Sequence, residues 1–317
     1  MKLLEFSKRF GSEEDCEIFL KEQREKEGIE CTTCGCKKHY WDKYNKRWIC
    51  KKCGHETTLT SGTVMHGSKL PLLYWFTAMH LLTTTKKTFS ALEMQRQLGH
   101  KRYQPIWEML HKLRSVMGER DDKYKLFGAI ELDEGYFATE DSTGDEENLK
   151  RGIGSQRKAK VLVMVESKKV DEPKKGKKSR KCGHLKMKVI GDLKAKTFEE
   201  NAEKYLDKDS TVVMDNLPTH SGVEQVVAVS ERQNVLGKDA PTVLPWVHVT
   251  IANAKSQLRD MCHGIKREYL QGYLSEFCYK LNRKDFGDKM FNYLMIAAIS
   301  YKSLFRHHAY QLSRTNG

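Results

Sequence analysis

The stretch Phe127-Gly-Ala-Ile-Glu-Leu-Asp133-Glu-Gly-Tyr-Phe137 decides the fold class. Its apolar run (Phe127, Ala129, Ile130, Leu132), broken by Glu131, reads as a strand passing through a core. Gly135 is expected to turn the chain, which would deliver Asp133 at the end of the strand. Thr211-Val-Val-Met-Asp215-Asn-Leu-Pro218 repeats the grammar: a β-favouring run, an Asp, then a turn. Open α/β sheets collect chemistry at the carboxyl ends of their strands. Two strands that each end in Asp therefore suggest a shared metal site. Loop capping is the alternative for either Asp alone.

At 317 residues the chain has room for two or three domains and a sizeable core. Lys and Arg number 56 against 42 Asp and Glu, a net charge of +14. Such a surplus favours partners that carry phosphate, nucleic acid above all. No apolar run reaches the ~18 residues of a membrane span, and the N-terminus lacks the apolar core of a signal segment. Nine cysteines in such a chain point to a reducing, cytoplasmic setting, and to metal rather than disulfides.

Residues 1–28 read as a charged N-terminal helix. Residues 29–60 hold the sharpest local motif, Cys31-Thr-Thr-Cys34 and Cys50-Lys-Lys-Cys53, with fifteen residues between the pairs. Two such knuckles give four thiolates to one tetrahedral Zn2+, with Gly35 and Gly54 supplying the permissive backbone after each pair. A thioredoxin-like redox pair is the alternative, but no βαβ context surrounds it. Cys36, His39 and His55 read as bystanders. Four thiolates leave no open position, so this zinc is expected to fold the module, not to catalyse.

Residues 61–118 read as helices: Leu70–Leu82 opened by Pro71, a second begun at Thr88-Phe-Ser90 and stopped by Gly99, and Gln104–Met117. Two short helices around a Gly-containing turn fit a helix-turn-helix, and a plain helical bundle fits as well. Arg96, His100, Lys101 and Arg102 at the turn favour DNA contact. A charged linker, 119–125, leads to strands at Lys160–Glu166, Met187–Asp192 and Thr211–Asp215, with a helix at Phe198–Leu206. The Lys-rich stretch 167–186 reads as a loop suited to phosphate. Thr250 is expected to cap a helix that ends at Gly264, with Ile251, Ala254 and Leu258 as its apolar stripe. Asn253 lies off that stripe, and Lys255 and Arg259 form a basic face. Helices continue through Leu270–Asn282 and Phe286–Leu304.

In this order, the ribbon, the helix-turn-helix-like segment, Leu-Asp133-Glu-Gly-Tyr, Met-Asp215-Asn, Asn253-Ala-Lys255…His263-Gly264 and Asn282-Arg283-Lys284 resemble the zinc-ribbon insertion-sequence transposases of the DDE superfamily. The resemblance implies an α/β chain with a ribonuclease-H-like mixed sheet flanked by helices (125–305), preceded by the ribbon and the helical DNA-binding segment. It implies two catalytic Mg2+ ions, with Asp133 and Asp215 matching the first two acidic positions. Many members carry Glu at the third position. This chain resembles a branch with Asn there, Asn253, followed two residues later by Lys255. Asn is a neutral and weaker oxygen ligand for a hard cation, and Asp260 and His263 are auxiliary candidates. Lys255 and Arg259 would contact DNA. Double-stranded DNA (element ends and target) and a homo-oligomer, dimer or larger, are the implied partners. A non-catalytic DNA-binding protein descended from a transposase is the alternative, favoured by the absent Glu. A nuclease acting on other nucleic acids is a third class.

Overall fold

Both aspartates lie in one five-stranded sheet. Its strands are β4 (Ala129–Ala138), β5 (Lys158–Lys169), β6 (Arg180–Ile190), β7 (Thr211–Asp215) and β8 (Val229–Gln233), in the order β6-β5-β4-β7-β8. The first three strands form an antiparallel meander, and β7 and β8 run parallel to β4. The structure is a computed structural model. It describes residues 1–140, 155, 157–172, 179–233, 243–261, 264–301, 303 and 305.

The sheet is mixed and covered on both faces, which is why β5 reads as an unbroken apolar run from Val161 to Val165, all of it buried. One face packs Ile130, Leu132 and Met214 against Phe198, Ala202 and Tyr205 of helix α6 (Ala195–Tyr205). The other packs Phe137, Val163, Leu185 and Met187 against α8 (Pro245–Met261) and α9 (Arg267–Asn282). In β4, alternate residues therefore serve different cores.

Three local expectations are corrected. Asp133 is the fifth residue of a ten-residue strand, and Gly135 continues that strand instead of turning it. Its missing side chain serves packing: a Cβ there would lie 2.9 Å from the Phe137 ring and 3.4 Å from Ile251 of α8. Thr250 is buried inside α8, which begins five residues earlier at Pro245. The cap of α8 comes from far upstream. Buried Glu131 accepts from the backbone N–H groups of Trp246 (2.7 Å) and Val247 (3.1 Å). A carboxylate there satisfies orphan donors and complements the helix dipole. The residue that breaks the apolar run of β4 thus fastens α8 to the sheet. Both ends of the stretch expected as a Lys-rich loop are strand, 167–169 in β5 and 180–186 in β6, and its Lys174, Lys175, Lys177 and Lys178 lie outside the described residues.

The chain divides into two compact units, Asp121–Asp285 and the N-terminal residues to Arg120 together with the stretch from Phe286. Within the sheet-bearing unit a buried polar clamp joins the two ends. Arg283 Nη1 lies 2.5 Å from Asp121 Oδ1, each side chain being 7% exposed. Asn282 donates to Asp121 (2.9 Å) and exchanges hydrogen bonds with the backbone of Leu185 in β6.

The N-terminal unit contains α1 (Leu3–Arg9), α2 (Glu13–Glu27), a small antiparallel sheet of β1 (His39–Asp42), β2 (Arg47–Cys50) and β3 (Glu56–Thr58), then α3 (Leu72–Thr84), α4 (Ala91–Leu98) and α5 (Tyr103–Asp122) as far as Arg120. α5 runs through most of the expected linker. The last helix, α10 (Met290–Ser300), belongs to this unit because Phe291 joins an aromatic cluster of Phe6, Phe10, Phe76 and His80. No helix among the described residues is long and apolar enough to cross a membrane.

Candidate active site

The pairing of β4 with β7 runs Ala129 with Thr211 through Leu132 with Met214. The next residues in this parallel register are Asp133 and Asp215. β7 ends at Asp215 while β4 continues, so the two aspartates follow directly where the parallel pairing stops, near enough for the Asp215 charge to act on Asp133. Each strand carries its Asp there because the preceding residues alternate correctly: Leu132 and Met214 point into one core, and Asp133 is directed towards α8.

Asp133 Oδ1 accepts from the Glu134 N–H (2.7 Å), and its Oδ2 lies 3.8 Å from His248 Nε2 of α8. That second distance is too long for a hydrogen bond. Burial, reinforced by the charges of Glu134 and Asp215, pushes the Asp133 carboxyl up to about 7. Burial raises Asp215 too, with His220 opposing. His248 is lowered by burial, which favours its neutral form.

Fully buried His220 links the neighbours of this pair. Its Nε2 lies 2.9 Å from Glu134 Oε1. Its Nδ1 lies 3.1 Å from the Asp215 carbonyl oxygen and 2.8 Å from Asp215 Oδ1. The N–H is directed at the carbonyl, and Oδ1 is a close ionic contact without hydrogen-bond alignment. Burial alone would lower the imidazole, but the bond and charge of Glu134, then Asp215, outweigh it and raise the value.

Asp215 Oδ1 and His248 Nε2 are buried atoms without a hydrogen-bond partner. Asp215 Oδ1 has the His220 ring beside it, but two carboxylates at one place supply the hard oxygen donors that Mg2+ takes, so Asp133 and Asp215 fit that ion. His248 was not foreseen. The available signal was its position three residues before Ile251, at the edge of the stripe that faces the sheet.

Asn253 is exposed and, among the described residues, makes no hydrogen bond. At ~100° per residue it lies on the far side of α8 from Ile251, Ala254 and Leu258. Arg259 and Asp260 are exposed on the same helix, and His263 falls outside the described residues. Lys255 is exposed as well, but its Nζ lies 5.6 Å from the Phe137 ring centre. Burial and Lys158 lower its pKa, with Asp133 opposing. The structure therefore brings together Asp133 and Asp215, adds His248, Glu134 and His220, sets Lys255 nearby, and leaves Asn253 facing away.

The four ribbon cysteines gather separately, with all four Sγ atoms within 4.8 Å of one another. Cys31 and Cys53 are 3.5 Å apart, and Cys34 and Cys50 3.6 Å. Tetrahedral zinc with Zn–S of ~2.3 Å needs sulfur separations of about 3.8 Å, so the set fits Zn2+. Gly35 and Gly54 take left-handed φ values of 66° and 72°. Backbone N–H groups, that of Cys53 first, hold the Cys50 thiol down to about 6. Cys36 bonds Lys38, and His55 bonds Thr32.

α4 is capped by Ser90, whose side chain accepts from the Glu93 N–H, and closes on Gly99 in the left-handed region. The turn Gly99–Arg102 leads directly into α5, and Arg96, Lys101, Arg102, Tyr103 and Gln104 are exposed around it.

Residues 125–282 match the model of the ISXO2-like transposase domain. No curated protein matches the chain. Among solved structures, "Crystal structure of a pre-cleavage Mos1 transpososome" aligns with 73% of this chain and 80% of its own at 9% identity and a TM-score of 0.24. That likeness is too weak to bear on the fold.

Proposed function

The chain belongs to the ISXO2-like transposases through residues 125–282, and from that premise we propose that it cuts and joins the ends of its DNA element at Asp133 and Asp215. The observation that carries this reading is the parallel register after which the two aspartates follow directly, one on each strand. When bound, two Mg2+ ions would supply Lewis-acid stabilisation and activation of the attacking oxygen in phosphodiester transesterification.

The chain's own groups do the rest. Asp133 and Asp215 supply hard oxygen donors from a ribonuclease-H-like sheet. His248, neutral and facing Asp133, is the third polar group at the site in place of Asn253. Lys255, exposed beside Phe137, meets the DNA phosphate, with Arg259 and Asp260 also exposed on α8. The zinc ribbon and the α4–α5 turn bind duplex DNA, which confines cleavage to element ends. Assembly as a dimer or larger would bring two ends together.

Strand transfer with purified protein, its own ends and a plasmid target tests this. Joining that requires Mg2+ and is lost in Asp133→Ala and Asp215→Ala supports the reading. Joining at the wild-type rate in either variant sinks it. One observation favours a second reading, a DNA-binding protein without catalysis: no acid on α8 is turned to the aspartates. End-binding that survives loss of both aspartates, with no nicking under Mg2+ or Mn2+, would establish that alternative.

A further inference from the structure

His220 stands outside the residues assigned above, yet its surroundings are more constrained than theirs. Its side chain is wholly buried, and an acid faces each ring nitrogen: Glu134 at 2.9 Å from Nε2, and Asp215 at 2.8 Å (Oδ1) and 3.1 Å (carbonyl) from Nδ1. Glu134 is itself only 5% exposed. It directly follows Asp133 in β4, whereas Asp215 closes β7. The imidazole thus spans the two acid-bearing strands just where their pairing stops.

The seat of this ring is rigid. The chain turns through Pro218–His220 into the short helix α7 (Ser221–Glu224). Gly222 presses that turn against α6: a Cβ there would lie 2.0 Å from the Ala195 carbonyl oxygen. The Phe198 ring sits 5.1 Å from the imidazole centre. A histidine kept only for packing would be satisfied by carbonyls and apolar neighbours. Burying an imidazole between two carboxylates carries a desolvation penalty that packing alone does not require.

We infer that His220, anchored by Glu134, is a positioning residue that fixes the Asp215 carboxylate against Asp133 and so sets the geometry of the divalent-cation site. The ring holds the Asp215 backbone through the carbonyl and stands 2.8 Å from Oδ1, which fixes both ends of the Asp215 side chain's attachment at β7. Outer groups that orient metal-binding side chains typically contribute 10–100-fold in metal affinity. The inference rests on the proposed role of Asp215.

The test is Mn2+ binding to the full, zinc-loaded chain, followed by the loss of the free-ion electron paramagnetic resonance signal, with circular dichroism checking the fold. His220→Ala and Glu134→Gln should each weaken Mn2+ affinity, His220→Ala by ~10–100-fold. His220→Asn can place an amide N–H near the Nδ1 position without reaching Glu134, so it should recover part of the loss. If His220→Ala does not fold, Glu134→Gln and His220→Asn still decide. Wild-type Mn2+ affinity in the folded variants would overturn the inference. Asp215→Ala separates the two levels. Lost binding in Asp215→Ala with unchanged binding in the His220 and Glu134 variants rejects only the positioning role. Unchanged binding in Asp215→Ala rejects the cation site itself, and the inference with it.

Discussion

The four cysteines and the two aspartates are both candidate metal sites, yet they are built in opposite ways. The cysteines lie within 23 residues of sequence, on a sheet of three short strands that has little core of its own. The aspartates are 82 residues apart and meet only because β4 and β7 pair in parallel inside a sheet buried on both faces. In the ribbon, metal is expected to make the fold. In the sheet, the fold itself sets the candidate donors, with no metal needed to build it.

The sharpest way to break that contrast is to remove zinc. Structural zinc binding is of order 10–16 kcal/mol in small modules, so chelation or Cys50→Ser should unfold the ribbon. Amides of Arg47–Cys50 should lose hydrogen-exchange protection while those of Val161–Val165 keep theirs. A ribbon that stays protected with no zinc found by elemental analysis would contradict the assignment.

The sheet should depend instead on its own buried clamp. Removing one partner of a buried ion pair typically costs about 3–5 kcal/mol, because the other charge is left uncompensated. Arg283→Ala, which strands Asp121, should lower the stability of the Asp121–Asp285 unit by that order, read as a lower urea midpoint of its transition. A midpoint that does not move would mean that the clamp closes the unit without stabilising it.

The same contrast explains what could be read in the sequence. The ribbon is legible because its ligands and glycines are neighbours, and β7 because a β-favouring run of four residues, Thr211–Met214, leads straight to Asp215. The caps of α4, Ser90 and Gly99, are local and were readable. The start of α8 was not, because its cap is Glu131, more than a hundred residues upstream. Gly135 looked like a turn because its real constraint, the approach of Ile251, is tertiary. His220 and His248 carry no pattern at all until the sheet exists, and α10 joins the N-terminal unit through aromatic contacts that no spacing announces.

Asn253 and His248 make the next comparison, between a residue matched by family pattern and one placed by geometry. Since His248 faces Asp133 and Asn253 faces away, His248→Ala should reduce strand transfer by ~10–100-fold, the usual effect of groups next to a metal site, and Asn253→Ala by much less. Equal losses would mean that α8 turns towards the carboxylates when DNA binds.

The smallest expected effect, per pH unit, separates the two sites by sign. The Asp133 carboxyl is raised in the folded chain to about 7 from an ordinary 3.8. Its contribution to stability is therefore full below about pH 4 and lost as pH rises through about 7, with a slope of at most ~1.4 kcal/mol per pH unit for one proton. Mg2+ should reverse that loss, because the cation takes the proton's place, and Asp133→Asn should abolish the slope. Cys50 is shifted the other way, down to about 6 from 9.0. Its contribution is present above 9 and lost as pH falls through about 6. Acidification should thus relieve the carboxylate pair while loosening the ribbon. Hydrogen exchange resolved to β4 and β2 between pH 5 and pH 8, without added Mg2+, reads both trends in one sample. Parallel trends in the two strands would mean that the sites are not electrostatic opposites.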